Sequence, residues 1–332
     1  MNINEIAKLA GVSRATVSRY LNQGYVSEEK KEQIRRVIDE TGYKPSAQAQ
    51  TLRTKKTNLI GVILPKINSD SISRMVAGIS SVLSKSGYQL LLANTENKEA
   101  EELKYLEIFA ESHVDGIILI GTIFTREHKK ALKDLQVPVV ILGQSLPGYS
   151  CVYYDDFHAA YELTGHMLKK GKNFGYIGVT EKDQSAGAMR KSGFKAALHE
   201  AGIIVPEERM MTAGFNMESG YNCADQLLKQ NADIDSIFCA TDSIAVGAMR
   251  CIQDAGKCVP EDIQIVGVGD SNLAHVVQPR LTTIHYFYKT SGMEAAKMLI
   301  NILNDEDKIS REIKMGYKLV VADSTRKSGE CE

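Results

Sequence analysis

No apolar run in the 332-residue chain approaches the roughly 18 residues that a membrane-spanning helix needs. The opening residues, MNINEIAKLAG, lack the basic start and long apolar core of a secretory signal, so a cytoplasmic protein is expected and an exported one is not. Six cysteines (Cys151, Cys223, Cys239, Cys251, Cys258, Cys331) form no CxxC pair and read as reduced thiols, not as a disulfide frame or a zinc site. The usual enzyme signatures fail too. GVGDSN (267–272) is not GxGxxG because its sixth residue is Asn272, and neither GxxxxGK[ST] nor GxSxG occurs. His158, Glu162 and His166 repeat every four residues, but they do not form HExxH and read as polar residues on an exposed helix face. No catalytic residue, metal or cofactor is therefore expected.

A hydrophobic share of 43% with 24% charged residues excludes disorder as the main state. The length suggests two or three domains at roughly 100–200 residues each. The net charge of −1 hides a division. Residues 1–58 hold eleven Lys/Arg against six acids, a net +5, and the remainder carries −6. A basic head on an acidic body is the electrostatic pattern of a nucleic-acid-binding module joined to a domain that does not bind it.

The head reads as short helices. Asn2 caps the first, with Glu5 completing a capping box, and Gly11 ends it. Ser13 caps a second helix from Arg14 to about Asn22, and Ser27 caps a third that stops at Gly42. Val17 and Leu21 face inward with Val12. That leaves Arg14, Ala15, Ser18, Arg19 and Asn22 on the outer face of the second helix. Two short helices across a tight glycine turn form a helix-turn-helix, whose second helix enters the major groove. An arginine there bonds guanine O6 and N7, a small alanine packs on a thymine methyl, and Ser13, Thr16, Ser18 and Asn22 suit phosphate oxygens. Residues 46–53, SAQAQTLR, are helical in pattern but nearly without an apolar face, so they are expected to fold only on DNA.

From Leu59 onward, apolar runs at 59–64, 88–93, 116–121, 137–142, 174–179, 236–241 and 263–268 alternate with amphipathic segments at 70–86, 98–112, 156–170, 185–201, 216–230, 243–255 and 288–303. Continuous apolar strands between helices predict parallel sheets covered on both faces, here in two doubly wound lobes. ATDSIAVGAM puts Thr241 and Asp242 at a strand end and helix start, where open α/β sheets bind ligands, although Asp242 serves equally as a helix cap.

Residues 1–58 resemble the DNA-binding headpiece of the lactose-repressor (LacI/GalR) family at IAKLAGVS (6–13), TVSR (16–19), Leu21-Asn22, Val26-Ser27, Gly42-Tyr43, Pro45, Ala49 and Leu52. The resemblance continues through IGVILP, DGIIL, RKSGF, ATDSIAVGAM and LTTIHYFYKTSGMEAA. Within the family the chain is most similar to sucrose-operon repressors of Gram-positive bacteria, at LPKINSDSISR, DGIILIGTIFT and GVGDSNLAHVVQPRLTTIHYFYKTSG. The resemblance implies an all-α helix-turn-helix headpiece (1–45), a hinge helix and linker (46–58), and a periplasmic-binding-protein-like α/β core of two doubly wound parallel-sheet lobes (59–332), the second opening near 155–175. It also implies a homodimer on a near-palindromic operator, with a sugar or sugar-phosphate effector of the sucrose or fructose type in the cleft.

DNA contacts then fall on Ser13, Arg14, Ala15, Thr16, Ser18, Arg19, Asn22 and Tyr25, with Ala49 and Leu52 from the hinge. Leu52 matches the leucine that wedges into the minor groove, and Gln50 departs from the arginine of many members. Effector contacts fall on Ser145, Gln184, Arg190, Phe215, Thr241, Asp242, Asp270 and Tyr286. Arg190 matches the arginine that grips the effector, and Phe215 an aromatic that stacks on it. Further pocket matches lie near Gly143–Ser145 and Tyr286–Tyr288. Gly269 stands where many members have an acid, which leaves room for a larger or phosphorylated sugar, with Lys182, Gln184 and Ser185 placed to receive a phosphate. Two other classes remain open at this point. A sugar-binding protein without DNA regulation explains the lobes but not the headpiece, and a sugar-modifying enzyme would need a base or nucleophile that is not visible.

Overall fold

The computed structural model describes residues 1–22, 24–43, 56–111, 114–305 and 309–326. The chain forms two compact units, Met1–Thr57 and Asn58–Glu332.

In the first unit, α1 (Ile3–Leu9), α2 (Arg14–Leu21) and α3 (Glu28–Thr41) surround a small core. Asn2 and Glu5 close a reciprocal capping box on α1, and the Ser13 side chain accepts the Thr16 amide at the start of α2. Both satisfy amides that a helix start leaves unbonded. Ser27 occupies the cap of α3 but makes no side-chain cap bond, so the expected capping bond is replaced there by the favourable charge of Glu28 and Glu29. Gly11 and Gly42 both take φ of +62°, a left-handed conformation in which a glycine ends a helix without strain. Ile6, Val17 and Ile34 are fully buried, with Val12 and Leu21 packed against them. The expected hinge, 46–53, including Ala49 and Leu52, lies outside the described residues.

The second unit holds two parallel sheets. The first lobe has six strands in the order β11-β5-β4-β3-β1-β2. They are β1 (Leu59–Leu64), β2 (Gln89–Asn94), β3 (Gly116–Ile120), β4 (Val139–Leu142), β5 (Ser150–Tyr154) and β11 (Glu312–Met315). Its helices are α4 (Asp70–Leu83), α5 (Glu99–Glu111), α6 (Arg126–Asp134) and α12 (Tyr288–Leu303). The second lobe has four strands in the order β7-β6-β8-β9, formed by β6 (Phe174–Gly178), β7 (Met210–Thr212), β8 (Ser236–Cys239) and β9 (Gln264–Val266). Around it lie α7 (Asp156–Leu168), α8 (Arg190–Glu200), α9 (Met217–Gln230), α10 (Asp242–Asp254) and the short α11 (Asn272–Val276). Every residue of β3 and β4 is buried, as strands covered on both faces require.

Each apolar run forms a strand: the run at 59–64 in full, that at 88–93 shifted by one residue, and the others shortened. Strands β5, β7, β10 (Thr283–Tyr286), β11 and β12 (Tyr317–Val320) were not expected, nor were α6 and α11. The short strands EIKM and YKLV alternate and stay partly exposed, so they lack a continuous apolar run. Helix α6, REHKKALKD, buries only His128 and Leu132. Strands β10 and β12 pair antiparallel, an exception to the parallel expectation. The lobes are also not contiguous in sequence: the chain crosses between them after β5, after β10 and after β11.

Helices α4 and α12 approach each other at two glycines. A β-carbon at Gly78 would overlap the Lys289 carbonyl, and one at Gly292 the Met75 carbonyl. Gly220 and Gly247 allow the same approach of α9 to α10.

Candidate functional site

On the helix-turn-helix, Ser13, Arg14, Ala15, Arg19 and Asn22 are exposed, Thr16 and Ser18 are half-buried, and Tyr25 is 88% exposed. The Thr16 hydroxyl lies 2.9 Å from that of Ser13, and Asn22 Nδ2 donates to Ser18 Oγ at 3.5 Å. The two arginines are exposed on α2 and make no ion pair among the described residues, while the small polar residues tie down its first and last turns.

In the second unit a cavity of about 190 Å³ opens at the carboxyl ends of strands from both lobes, beside the crossings after β5 and β10. Arg190, Phe215, Thr241 and Asp242 all line it. Arg190 opens α8 after a π-turn at Gln184–Met189. It is buried, with Nε donating to Asp156 Oδ1 at 2.7 Å and Nη1 to the Ala240 carbonyl at 2.6 Å, and its guanidinium lies over the Tyr286 ring. Thr241, not Asp242, caps α10. Asp242 is 2% exposed, accepting from the Ser271 amide at 2.7 Å and the Thr283 hydroxyl at 2.5 Å, and burial raises its pKa.

Four expected effector contacts lie outside the cavity lining. Ser145 is exposed and donates to Glu312, while its neighbour Gln144 lines the cavity. Gln184 is exposed and bonds the Glu181 carbonyl, while Asp183 and Ser185 line the cavity. Asp270, at φ +48°, has its carboxylate 2.6 Å from His285 Nδ1 and 2.9 Å from His275 Nε2, away from the cavity. Tyr286 is fully buried and donates to Asp156 Oδ1, while Tyr288 reaches the surface of the cavity. Lys182 is exposed and does not line it.

The sequence reading missed Asp70, Arg74, Asp156 and Asp183. Arg74 in α4 pairs with Asp70 and donates to the Gly269 and Asp270 carbonyls at 2.9 and 3.1 Å, joining the lobes along one edge. Gln144 Nε2 donates to Asp183 Oδ1 at 3.3 Å, and Ser185 Oγ to the Gly143 carbonyl at 3.0 Å, joining the opposite edge. Asp183 caps the π-turn through the Ala186 amide, and burial lifts its pKa to about 6. Asp70 and Arg74 were legible in principle, because LPKINSDSISR follows the carboxyl end of β1, the position at which such sheets bind ligands.

His158, Glu162 and His166, read from the sequence as polar residues of a helix face, each bond a different partner. His158 pairs with Asp155, Glu162 accepts from Tyr317, and His166 bonds Thr325. Among the described residues no group of three metal-ligating side chains converges, and no helix is long and apolar enough to cross a membrane.

A helix-turn-helix unit followed by a two-lobed α/β body with a polar cavity at its strand ends defines an effector-controlled DNA-binding regulator. Residues 2–46 match the model for bacterial regulatory proteins of the lacI family, and residues 57–322 match that for periplasmic binding proteins and the sugar binding domain of the LacI family. The chain belongs to the LacI family of transcriptional regulators, and it is a DNA-binding regulator and not an enzyme. It is 36% identical to the sucrose operon repressor of Staphylococcus xylosus, over 92% of this chain and 94% of that protein. Among solved structures it is similar to the complex of the transcriptional regulator CelR with cellobiose, at 27% identity and a TM-score of 0.76, covering 98% of this chain and 99% of that one. Its fold is also that of the lac repressor dimer bound to operator and an anti-inducer, with a TM-score of 0.87 at 22% identity over 98% and 99% of the two chains.

Proposed function

We propose that this regulator is a cytoplasmic repressor of a sugar-utilisation operon, controlled by a sugar of the sucrose or fructose type, or a phosphate ester of one, in the inter-lobe cavity. The observation that carries the reading is the cavity itself, where Arg190, Phe215, Thr241 and Asp242 meet at the junction of the lobes. An arginine fork, an aromatic face and a buried carboxylate are the groups that hold a polyhydroxyl ring. The 36% identity to a sucrose operon repressor supports that class of sugar.

In this reading the protein binds a near-palindromic operator as a homodimer. One headpiece reads only a few base pairs, and two-fold symmetry doubles the contacts. Ser13, Arg14, Ala15, Thr16, Ser18, Arg19, Asn22 and Tyr25 meet the DNA. The test is an operator gel shift with and without sucrose, fructose and their phosphates. A shift that one of these sugars alters supports the reading, and a shift indifferent to all of them contradicts it.

A further inference from the structure

Asp70 and Arg74 stand four residues apart at the start of α4, the spacing that brings two side chains onto one helix face. Two other pairs of that spacing, Asp225–Lys229 and Arg250–Asp254, stay within their own helices. The α4 pair reaches into the second lobe. Arg74 Nη2 donates to the Gly269 and Asp270 carbonyls at 2.9 and 3.1 Å, and Asp70 Oδ1 accepts from Asn272 Nδ2 at 3.2 Å. The Arg74 guanidinium lies 5.1 Å from the centre of the Tyr288 ring, which steers it toward the turn. Its Nε is buried without a partner, so the contact across the lobes leaves that donor to the cavity lining.

The turn on the other side is shaped for this contact. Gly269 takes φ of +139° and Asp270 +48°, two successive residues in the region that disfavours side chains. Two consecutive carbonyls thereby face one nitrogen. Beneath them the turn is fixed to its own lobe. The Gly269 amide donates to the Ile284 carbonyl at 2.9 Å, the Asp270 amide to the Thr283 hydroxyl at 3.3 Å and the Ser271 amide to Asp242 Oδ2 at 2.7 Å. Gly269 therefore has a backbone reason to stand where it does. We propose that Arg74 and the Gly269 turn form a clasp that holds the lobes closed along this edge before any effector enters, which makes Arg74 a positioning residue for the cavity. The inference rests on the sugar-repressor reading and adds what sets the resting lobe arrangement. Charge-assisted bonds from a half-buried arginine hold better than an exposed ion pair. A clasped mouth must open before a ligand enters. Removing the clasp therefore quickens entry, and it lowers affinity because the closed arrangement is less populated. Loss of a direct ligand contact leaves entry alone and speeds release.

The experiment is small-angle X-ray scattering of the full chain without effector, as wild type, Arg74→Met and Gly269→Ala, followed by stopped-flow binding of sucrose and of fructose. Arg74→Met removes the donor, and Gly269→Ala disfavours the backbone that presents the acceptors while keeping Arg74 in place. Both variants should show a larger radius of gyration than the wild type. Both should also bind sugar with faster association and at least about fivefold weaker affinity, the lower end of the usual coupling between two sites. A thermal melt of each sample establishes that it is folded, and because the two changes lie in different lobes, one still tests the clasp if the other does not fold. An unchanged radius in the folded variants overturns the inference. Expansion in only one of two folded variants overturns the pairing of Arg74 with this turn. Weaker sugar binding in Arg74→Met alone, with association unchanged, makes Arg74 a ligand contact and overturns the clasp. Failure of both sugars to bind the wild type counts against the sugar reading, and the scattering still decides the clasp.

Discussion

At the scale of single residues, α2 and the cavity make separable claims. Arg14 and Arg19 are exposed on the outer face of α2, whereas Thr16 is half-buried and bonded to Ser13. Alanine at either arginine should cost about 1–3 kcal/mol of operator affinity and relax the preference at one base pair. Thr16→Ala should weaken all sequences more evenly. Competition binding on operators varied one base pair at a time measures both, and an unchanged preference in both arginine variants would place a different face in the groove. Arg190 carries a second prediction. Its partner Asp156 is 2% exposed, so Arg190→Ala leaves a buried carboxylate without its cation. The variant should lose about 3–5 kcal/mol of stability by denaturant unfolding, along with its response to sugar. Arg190, Phe215, Thr241 and Asp242 were legible because a motif placed each at a strand end or helix start. Ser145, Gln184, Asp270 and Tyr286 were each one or two positions from a lining residue. Pattern locates a loop, but backbone torsion aims the side chain: at Asp270 a positive φ turns the carboxylate toward His285.

At the scale of elements, α4 and α12 approach closely through Gly78 and Gly292 and hold the first lobe together beside the cavity. Gly292→Ala forces a methyl against the Met75 carbonyl and should cost about 1–3 kcal/mol in thermal or denaturant unfolding. An unchanged stability would mean that the helices can separate freely. Between α5 and α6, Glu102 and His128 are both buried, with Glu102 Oε1 3.4 Å from His128 Nε2. Burial, with Glu99 nearby, lifts the Glu102 pKa to about 8, and burial lowers that of His128. A raised carboxyl keeps its proton in the folded state while the unfolded chain has released it, so stability falls as pH rises toward 8. The lowered histidine has the opposite sign, but only below its ordinary value of about 6.5. Between about pH 6.5 and 8 the glutamate therefore acts alone, and Glu102→Gln should flatten a decline of at most about 1.4 kcal/mol per pH unit. A variant whose unfolding midpoint declines as steeply as the wild type's would contradict this. Strands buried on both faces were legible as continuous apolar runs. The half-exposed β11 and β12 were not, because only long-range pairing with β5 and β10 makes those short polar stretches into strands.

At the scale of the whole molecule, the basic head predicts an operator affinity that falls steeply with salt, because each neutralised phosphate releases counterions. Filter binding from low to physiological salt checks this, and a flat response would remove the headpiece from the interaction. The division into a DNA-reading unit and a two-lobed body was legible from the charge split and from the change in periodicity at Leu59. The threefold crossing of the chain between lobes was not, since it depends on two short C-terminal strands. Two of the three crossings run beside the cavity, at Tyr154–Asp156 and Tyr286–Tyr288, so a ligand there bears directly on the lobe arrangement. A ligand shifts an equilibrium only through different affinity for its two states, and the coupling is reciprocal. The most direct measurement is a calorimetric titration of the sugar into the protein with and without operator DNA. The account predicts that operator changes sugar affinity by the same factor by which sugar changes operator affinity. Equal sugar affinity in the two titrations would contradict it.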